Sequence, residues 1–349
     1  MGFESVVGQE RVKNILRSAL RRGRVPNSLL FVGPEGVGKR TTAFILARAL
    51  NCLRGGDDPC EECGPCRAVL AGLEDGSKGF PDVKEIKAGG KEMLPSEEDD
   101  KEKTGNHILI RQARYVKHHA YRRPMVGRKK VFIVNEAERM KDEAWDTLLK
   151  VLEEPPPLTH LMILTAYRER IPLTIVSRCA SISFGLIPRE KIEAYLLKSG
   201  RTPEEARNLA FLSCGSLAAA LGADLREKVG SREKAWKILL GLLRREGGHE
   251  FLEEYGSLKR GRGTDEELTR LWQAMTALLR DLLLVRESGE EGLLINRDFK
   301  EELQAEAGRF SSEELRSALE SVDRSLIGLK NSQNISLLVS AFCSDIIDR

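Results

Sequence analysis

Short continuous apolar runs alternate with helical patterns in the first half of the chain. The runs Leu29–Val32, Val131–Val134 and Leu161–Thr165 have the length and composition of strands that are buried on both faces. A helical pattern over Val12–Leu20 precedes the first run, and Asp82–Ile86 predicts a further short strand. Because strands that alternate with helices form a parallel sheet, the pattern predicts a doubly wound α/β fold with its ligand site at the carboxyl ends of the strands.

The second half of the chain has almost only helical periodicity. Residues 187–226 predict a small domain of short helices, one of which starts after Thr202 with a capping box. Residues 227–349 predict a separate domain of longer amphipathic helices. The sequence therefore predicts three domains, the first of which covers residues 1–186.

A phosphate-binding loop joins the first predicted strand to the next helix. Three glycines precede a lysine at the spacing of such loops, and the N–H groups at the start of the helix would meet phosphate there. A turn whose glycines serve packing alone is the alternative. The predicted nucleotide-binding residues are Gly33, Gly36, Val37, Gly38, Lys39, Arg40 and Thr41.

The groups that would hold Mg²⁺ beside this loop are missing. Arg40 stands where such a loop carries a hydroxyl for the metal, and Thr41 lies about 100° further round the helix. Asn135 stands where a core strand usually ends in a carboxylate, so Glu136 alone remains to position a water. The loop could hold ATP or ADP without hydrolysis, and we do not expect a well-held Mg²⁺.

Four cysteines within residues 52–66 predict a metal site. Their pattern is C-x7-C-x2-C-x2-C. Four thiolates close a tetrahedral shell around Zn²⁺ and leave no position for a water, which indicates a structural zinc ion; free or redox-active thiols are the alternative. Cys179, Cys214 and Cys343 are expected to be buried small side chains. The predicted zinc ligands are Cys52, Cys60, Cys63 and Cys66.

The overall charge does not identify a partner. The 56 lysines and arginines nearly balance 53 aspartates and glutamates, so the net charge of +3 gives no argument for nucleic-acid binding. The basic stretch Arg111–Lys130 is either a solvated segment or a phosphate track. The acidic run Glu97–Asp100 is expected to be solvated in a mobile loop over residues 87–106. Without a membrane span or signal peptide pattern, the chain is expected to be cytoplasmic, with no membrane partner.

Five motifs together resemble the bacterial clamp-loader branch of the AAA+ superfamily, over roughly the first two thirds of the chain. Two are the phosphate loop and the four cysteines. The other three are Val7–Glu10, Leu148–Pro156 and the segment Pro172–Cys179, which contains Ser-Arg-Cys. The resemblance implies an AAA+ fold with a zinc module, and it makes the second and third predicted domains a helical lid and a helical collar.

The resemblance also implies roles for individual residues. In the family, the Ser-Arg-Cys motif supplies an arginine finger to ATP on the neighbouring subunit, so Arg178 would act in trans; in isolation, Arg178 would be interpreted as a surface salt bridge. Thr165 matches the first sensor, which reports on the γ-phosphate, and Glu136 is what remains of the acidic motif. The second sensor, an arginine, is replaced by Ala218.

Elements that would serve the chain's own ATP are degraded at Arg40, Asn135 and Ala218, whereas Arg178 is intact. This asymmetry favours the delta-prime type of subunit over the gamma/tau motor type, which is the alternative. The resemblance then implies a stator in a heteropentamer with gamma/tau and delta subunits, which loads the sliding clamp onto primed DNA within DNA polymerase III holoenzyme. A zinc-bearing scaffold is a third hypothesis. We discount polymerase chemistry because no paired aspartates for two metal ions are visible.

Overall fold

The computed structural model describes residues 2–75, 80–90, 107–222, 225–247, 249–256, 258, 262–289, 294, 296, 299–330 and 333–347. The chain divides into two compact units, Met1–Gly222 and Ala223–Arg349. The acidic run Glu97–Asp100 and most of the predicted loop over residues 87–106 lie outside the described residues. The division into three domains remains a prediction from the sequence.

A sheet of five strands forms the core of the first unit. The strands are β1 Ser28–Val32, β2 Val83–Ile86, β3 Lys130–Val134, β4 Thr159–Thr165 and β5 Ala180–Ser183. Their order is β2-β3-β4-β1-β5, and all neighbours are parallel, which confirms the predicted sheet. β3 and β4 are buried along their whole length, which explains their continuous apolar runs.

β5 lacks the apolar run that predicted the other strands, and the sequence analysis missed it. It is an edge strand, and Ile182 is the single buried residue among its four. Its register with β1 sets Leu29 opposite Ala180 and Val32 opposite Ser183. A short edge strand that is mostly exposed carries too little hydrophobic periodicity to be recognised.

Helices precede, separate and follow these strands along the first unit. α1 confirms the predicted helix before β1, and α8 begins with the predicted capping box, in which Thr202 Oγ1 accepts the N–H of Glu205. In the described residues the helices are α1 Glu10–Arg21, α2 Lys39–Asn51, α3 Gly64–Asp75, α4 Ile110–Ala120, α5 Asp142–Glu153, α6 Leu173–Val176, α7 Arg189–Lys198, α8 Pro203–Leu212 and α9 Leu217–Leu221.

A buried carboxylate holds the loop between α4 and β3. Asp82 is 1% exposed and accepts the N–H groups of Met125, Val126 and Gly127 at 2.7, 2.8 and 2.7 Å. A Cβ atom at Gly127 would lie 2.4 Å from Asn51 Oδ1, so the loop fits closely against the end of α2. The end of the predicted basic stretch is therefore held in place by the fold.

The second unit consists of helices packed around an aromatic and aliphatic core. Trp272 is fully buried, and its ring centroid lies 6.1 Å from that of Phe342, which in turn lies 6.0 Å from that of Phe251. Every regular element described in this unit is a helix, as the periodicity predicts. These helices are α10 Leu225–Leu243, α11 His249–Tyr255, α12 Arg262–Glu287, α13 Lys300–Ala307, α14 Ser312–Lys330 and α15 Ile335–Ile347.

Candidate nucleotide, arginine and cysteine sites

The phosphate loop requires glycine at three positions. Gly33, Gly36 and Gly38 have φ angles of 155°, 74° and 99°, which favour glycine. A Cβ atom at Gly33 would lie 2.4 Å from the carbonyl oxygen of Phe184, and one at Gly36 would lie 2.1 Å from Ser216 Oγ. The loop therefore has the strand–turn–helix setting of a phosphate-binding loop, with the N-terminus of α2 at its end.

Lys39 is bound by the carbonyl groups of its own loop. Its Nζ donates to Gly33 O at 2.5 Å and to Pro34 O at 2.7 Å. Burial lowers the pKa of Lys39, and the charges of nearby glutamates, above all Glu138, oppose this effect. A phosphate group would have to replace these hydrogen bonds to reach the ammonium group.

Arg40 forms an ion pair with Glu85 on β2. Its Nε and Nη2 donate to Oε1 and Oε2 of Glu85 at 2.6 and 2.7 Å, and its guanidinium lies 5.0 Å from the ring centroid of Phe44. Hydrogen bonding to Glu85 raises the pKa of Arg40. The residue in the place of the metal-binding hydroxyl is thus neutralised within the chain. Thr41, the next residue of α2, is half-buried.

The carboxyl ends of β3 and β4 bring Thr165 into contact with Glu138, a residue that the sequence analysis did not single out. Thr165 Oγ1 donates to Glu138 Oε2 at 2.8 Å. Glu136 has a left-handed backbone with φ of 52° and pairs with Arg139 at 2.9 Å. Asn135 contributes no charge. The sequence analysis overlooked Glu138 because it lies beyond Asn135 and Glu136, inside a short 3₁₀ turn.

The segment that carries Ala218 in place of the second-sensor arginine packs directly on the phosphate loop. Ala218 N donates to Gly36 O at 3.2 Å, and Ser216 Oγ caps α9 by accepting the N–H of Ala219. A Cβ atom at Gly36 would also lie 2.9 Å from Ala218 Cβ. A small residue at position 218 therefore allows the loop and this segment to touch.

Gln9 ties the Val7–Glu10 motif to the loop. Its side-chain amide pairs with the backbone of Gly185, since Nε2 donates to Gly185 O at 2.6 Å and Oε1 accepts Gly185 N–H at 3.2 Å. Nε2 also lies 3.4 Å from Val37 O. The motif thus connects the phosphate loop with the segment after β5.

Arg178 is held by groups of its own chain. Its Nη2 lies 2.7 Å from Glu153 Oε1, and its Nη1 donates to Thr174 O at 2.8 Å. The side chain remains 35% exposed. The salt bridge expected for Arg178 in isolation is therefore present, and it leaves part of the guanidinium accessible.

Arg178 and the phosphate loop lie at opposite ends of paired strands. The loop follows the carboxyl end of β1, whereas Arg178 precedes the amino end of its parallel neighbour β5. Ala180 of β5 pairs with Leu29 of β1. Gly33 lies four residues beyond Leu29, so β1 separates the level of Ala180 from Gly33 by about 13 Å. Because an arginine side chain is shorter than this distance, Arg178 cannot reach phosphate in its own loop.

The four clustered cysteines converge on one point. Their sulfur atoms all lie within 4.8 Å of one another, with Cys52 and Cys66 buried and the other two partly exposed. The N–H of Cys63 lowers the pKa of Cys60 to about 6, whereas burial raises the pKa of Cys66 to about 12. Four thiolates around Zn²⁺ at about 2.3 Å would have similar spacing, so these residues could bind zinc.

The other expectations have mixed outcomes. Cys343 is buried as predicted, and Cys179 is partly buried. Cys214 is exposed, so the prediction that it is buried was wrong. In the basic stretch Arg111–Lys130, both terminal residues are buried, and Lys130 Nζ donates to the carbonyl oxygen of His119, so Lys130 is not available as a phosphate contact. Among the helices described, none is long and apolar enough to span a membrane.

A protein-family model described as "DNA polymerase III, delta subunit" matches residues 8–187, more than half of the chain. The DNA polymerase III tau subunit of Bacillus subtilis is 35% identical over 191 residues, which are 54% of this chain and 30% of that protein. The gamma/tau subunit of Mycoplasma pneumoniae is 32% identical over 221 residues, 62% of this chain and 29% of that protein.

The delta' subunit of Bacillus subtilis is 29% identical over 247 residues, which are 70% of this chain and 67% of that protein. The chain spans less than a third of the length of the two gamma/tau-type relatives. Sequence identity is thus higher to the tau subunit, whereas the alignment with the delta' subunit covers a larger part of both chains. These two measures favour different subunit types.

Proposed function

Because the chain belongs to the DNA polymerase III delta subunit family, which consists of bacterial AAA+ clamp-loader proteins, we propose that it is a delta-prime-type subunit of the replicative clamp loader. In this role it donates Arg178 to ATP on a neighbouring subunit and helps to load the sliding clamp onto primed DNA. The observation that carries the proposal is the position of Arg178, at the end of the sheet opposite its own phosphate loop.

The chain's own nucleotide site is poorly equipped for hydrolysis. Arg40 replaces the metal-binding hydroxyl and is paired with Glu85, and Asn135 replaces the metal-binding carboxylate. These residues do not fit Mg²⁺, which prefers charged oxygen ligands. Since phosphoryl transfer depends on positioning and charge neutralisation, the site has at most weak ATPase activity of its own. We expect ATP or ADP to bind there without turnover.

Arg178 is suited to act on a neighbour's nucleotide. Its guanidinium is partly exposed, and a planar guanidinium can contact two γ-phosphate oxygens at once. Thr165, at the first sensor position, would monitor the chain's own site, where Glu138 rather than Glu136 contacts it. A chain whose own site is degraded while Arg178 can serve a neighbouring site fits a stator, which assists ATP hydrolysis without performing it.

The remaining parts of the chain receive structural roles in the proposal. The four cysteines would hold Zn²⁺, which would link the end of α2 to the start of α3. Residues 187–226 form the lid, and residues 227–349 form the collar through which the subunits associate. The partners are gamma/tau and delta subunits in a heteropentamer, together with the sliding clamp and primed DNA.

Reconstitution with gamma/tau and delta subunits tests this assignment. We expect the chain to co-elute with them in one complex and to show no ATPase activity alone, whereas the complex hydrolyses ATP when clamp and primed DNA are present. The higher identity to tau makes a motor ATPase the second candidate. ATP hydrolysis by the isolated chain that is lost in Lys39→Ala would favour that candidate, and failure to associate with either subunit would leave a zinc-bearing scaffold.

Replacing Glu85 by glutamine is expected to strengthen nucleotide binding. The substitution removes the negative charge that neutralises Arg40 and leaves a cation beside the phosphate loop. We expect the affinity for ATP, measured without Mg²⁺ by equilibrium binding of a fluorescent ATP analogue, to rise about fivefold, as loss of one partly exposed ion pair would allow. Lys39→Ala should abolish binding.

The control for this prediction is Glu143→Gln, which removes an exposed carboxylate at the start of α5. It should leave the affinity unchanged. An absence of binding at millimolar ATP in both the wild type and Glu85→Gln would show that the loop no longer serves as a nucleotide site.

A further inference from the structure

Glu153 joins two motifs that are separate in the sequence. It is the last residue of α5 and lies inside the motif Leu148–Pro156, which contributed to the resemblance but had no role of its own. Its Oε1 lies 2.7 Å from Nη2 of Arg178 in the Ser-Arg-Cys motif. Because Leu148 and Leu152 of the same helix turn into the core, Glu153 is presented from a firmly packed element.

The guanidinium of Arg178 is held from a second side by its own segment. Nη1 donates to Thr174 O at 2.8 Å, and it lies 3.4 Å from Ser177 Oγ. Both side-chain hydrogen bonds that Arg178 donates to the described residues come from Nη1, so Nε donates none of them. Nε and Nη2 share one edge of the planar guanidinium, an arrangement that matches two oxygens of a phosphate group.

The pair has little to contribute to stability. The side chains of Arg178 and Glu153 are 35% and 48% exposed, and ion pairs with such exposure contribute little to folding. An arginine side chain otherwise samples many rotamers, and a catalytic group must be placed accurately before the reaction. The ion pair restricts these rotamers before a neighbouring subunit is bound.

We infer that Glu153 is a positioning residue for Arg178: its carboxylate, in ion-pair contact with Nη2, orients the guanidinium for contact with the γ-phosphate on the neighbouring subunit. The inference rests on the proposed function. It gives Glu153, the first of the two glutamates in the Leu148–Pro156 motif, a role that is independent of the packing of the apolar residues of the motif.

Steady-state ATP hydrolysis by a reconstituted ring, with clamp and primed DNA present, tests the inference. The gamma/tau subunits in this ring carry alanine in place of their own Ser-Arg-Cys arginine, so that only the site served by this chain is measured. We expect Glu153→Ala to lower kcat about tenfold and to leave the KM for ATP unchanged, because a disordered finger affects the transition state more than ATP binding.

Two further variants separate position from charge. Glu153→Gln keeps an oxygen acceptor in place and should retain a kcat within about threefold of the wild type, whereas Glu153→Asp keeps the charge but is one methylene shorter and should resemble Glu153→Ala. Glu154→Ala is the matched control, since Glu154 is exposed and forms no ion pair in the described part of the chain. Ring assembly and thermal unfolding should be the same for all variants.

Each other outcome overturns the inference in a distinct way. If Arg178→Ala slows this ring and Glu153→Ala does not, the positioning role is wrong while the proposed function stands. If Arg178→Ala has no effect, the proposed function itself fails. A faster ring with Glu153→Ala would mean that Glu153 restrains Arg178, and a slow Glu153→Gln beside a normal Glu153→Asp would mean that its charge matters rather than the position of its oxygen atom.

Discussion

Replacing Arg178 by alanine is expected to slow ATP hydrolysis at one site of the assembled ring by about 10³-fold, the usual contribution of an arginine finger. Arg178 cannot reach the phosphate loop of its own chain, because the two lie at opposite ends of the parallel strands β1 and β5. The loss should therefore appear only in the complex. The substitution should leave the folding of the chain almost unaffected, since the side chain is partly exposed.

The measurement is single-site ATP turnover in a ring whose motor subunits lack their own finger, compared with the isolated chain. Arg178→Lys should also be slow, because an ammonium group is a point charge and cannot contact two phosphate oxygens as a guanidinium does. Arg168→Ala is the control, since Arg168 is an exposed arginine between β4 and α6. A ring indifferent to Arg178→Ala, together with hydrolysis by the isolated chain, would identify a motor subunit instead.

Loss of one clustered cysteine is expected to release zinc and to lower the free energy of unfolding of the first unit by about 3 kcal/mol or more, because binding energy at a structural zinc site is folding energy. Cys63→Ser is the most informative variant. Its side chain is partly exposed, so the exchange removes a ligand while disturbing little packing. The module is connected to the rest of the unit through Arg48, whose Nε donates to Cys66 O at 2.9 Å.

Zinc content by atomic spectroscopy and urea denaturation together check this prediction. The wild type should contain one zinc ion per chain, and Cys63→Ser should contain much less and should unfold at lower urea concentration. Cys214→Ser is the matched control, since Cys214 is an exposed cysteine outside the cluster. A metal-free wild type that forms disulfides or resists chelators without loss of stability would support redox-active thiols instead.

The two predictions concern one site formed by residues close together in the sequence and one site whose surroundings come from distant segments. The cysteine cluster is local, because all four cysteines come from the stretch between the end of α2 and the first turn of α3. The surroundings of Arg178 depend on long-range structure, because it precedes β5, which pairs with β1, and its guanidinium contacts Glu153 of α5. Spacing alone is enough to recognise the cysteine cluster, whereas the role proposed for Arg178 also depends on the fold and on a neighbouring subunit.

Several features were predictable because they leave a local signature in the sequence. β3 and β4 are buried on both faces, which requires continuous apolar runs. The glycines of the phosphate loop have backbone angles that favour glycine, and four cysteines at close spacing can converge on one point. In each case the residues that form the structural feature are close together in the sequence, so their pattern can be recognised without the fold.

The sequence by itself thus determined the parallel sheet, the phosphate loop, the cysteine cluster and the helical nature of the second unit. Only the tertiary structure decided that Arg40 is neutralised by Glu85, that Thr165 contacts Glu138, that Ala218 packs on Gly36 and that Glu153 holds Arg178. The physical reason is that hydrophobic periodicity records which face of an element is buried, whereas a polar contact between distant segments depends on strand order, register and side-chain reach.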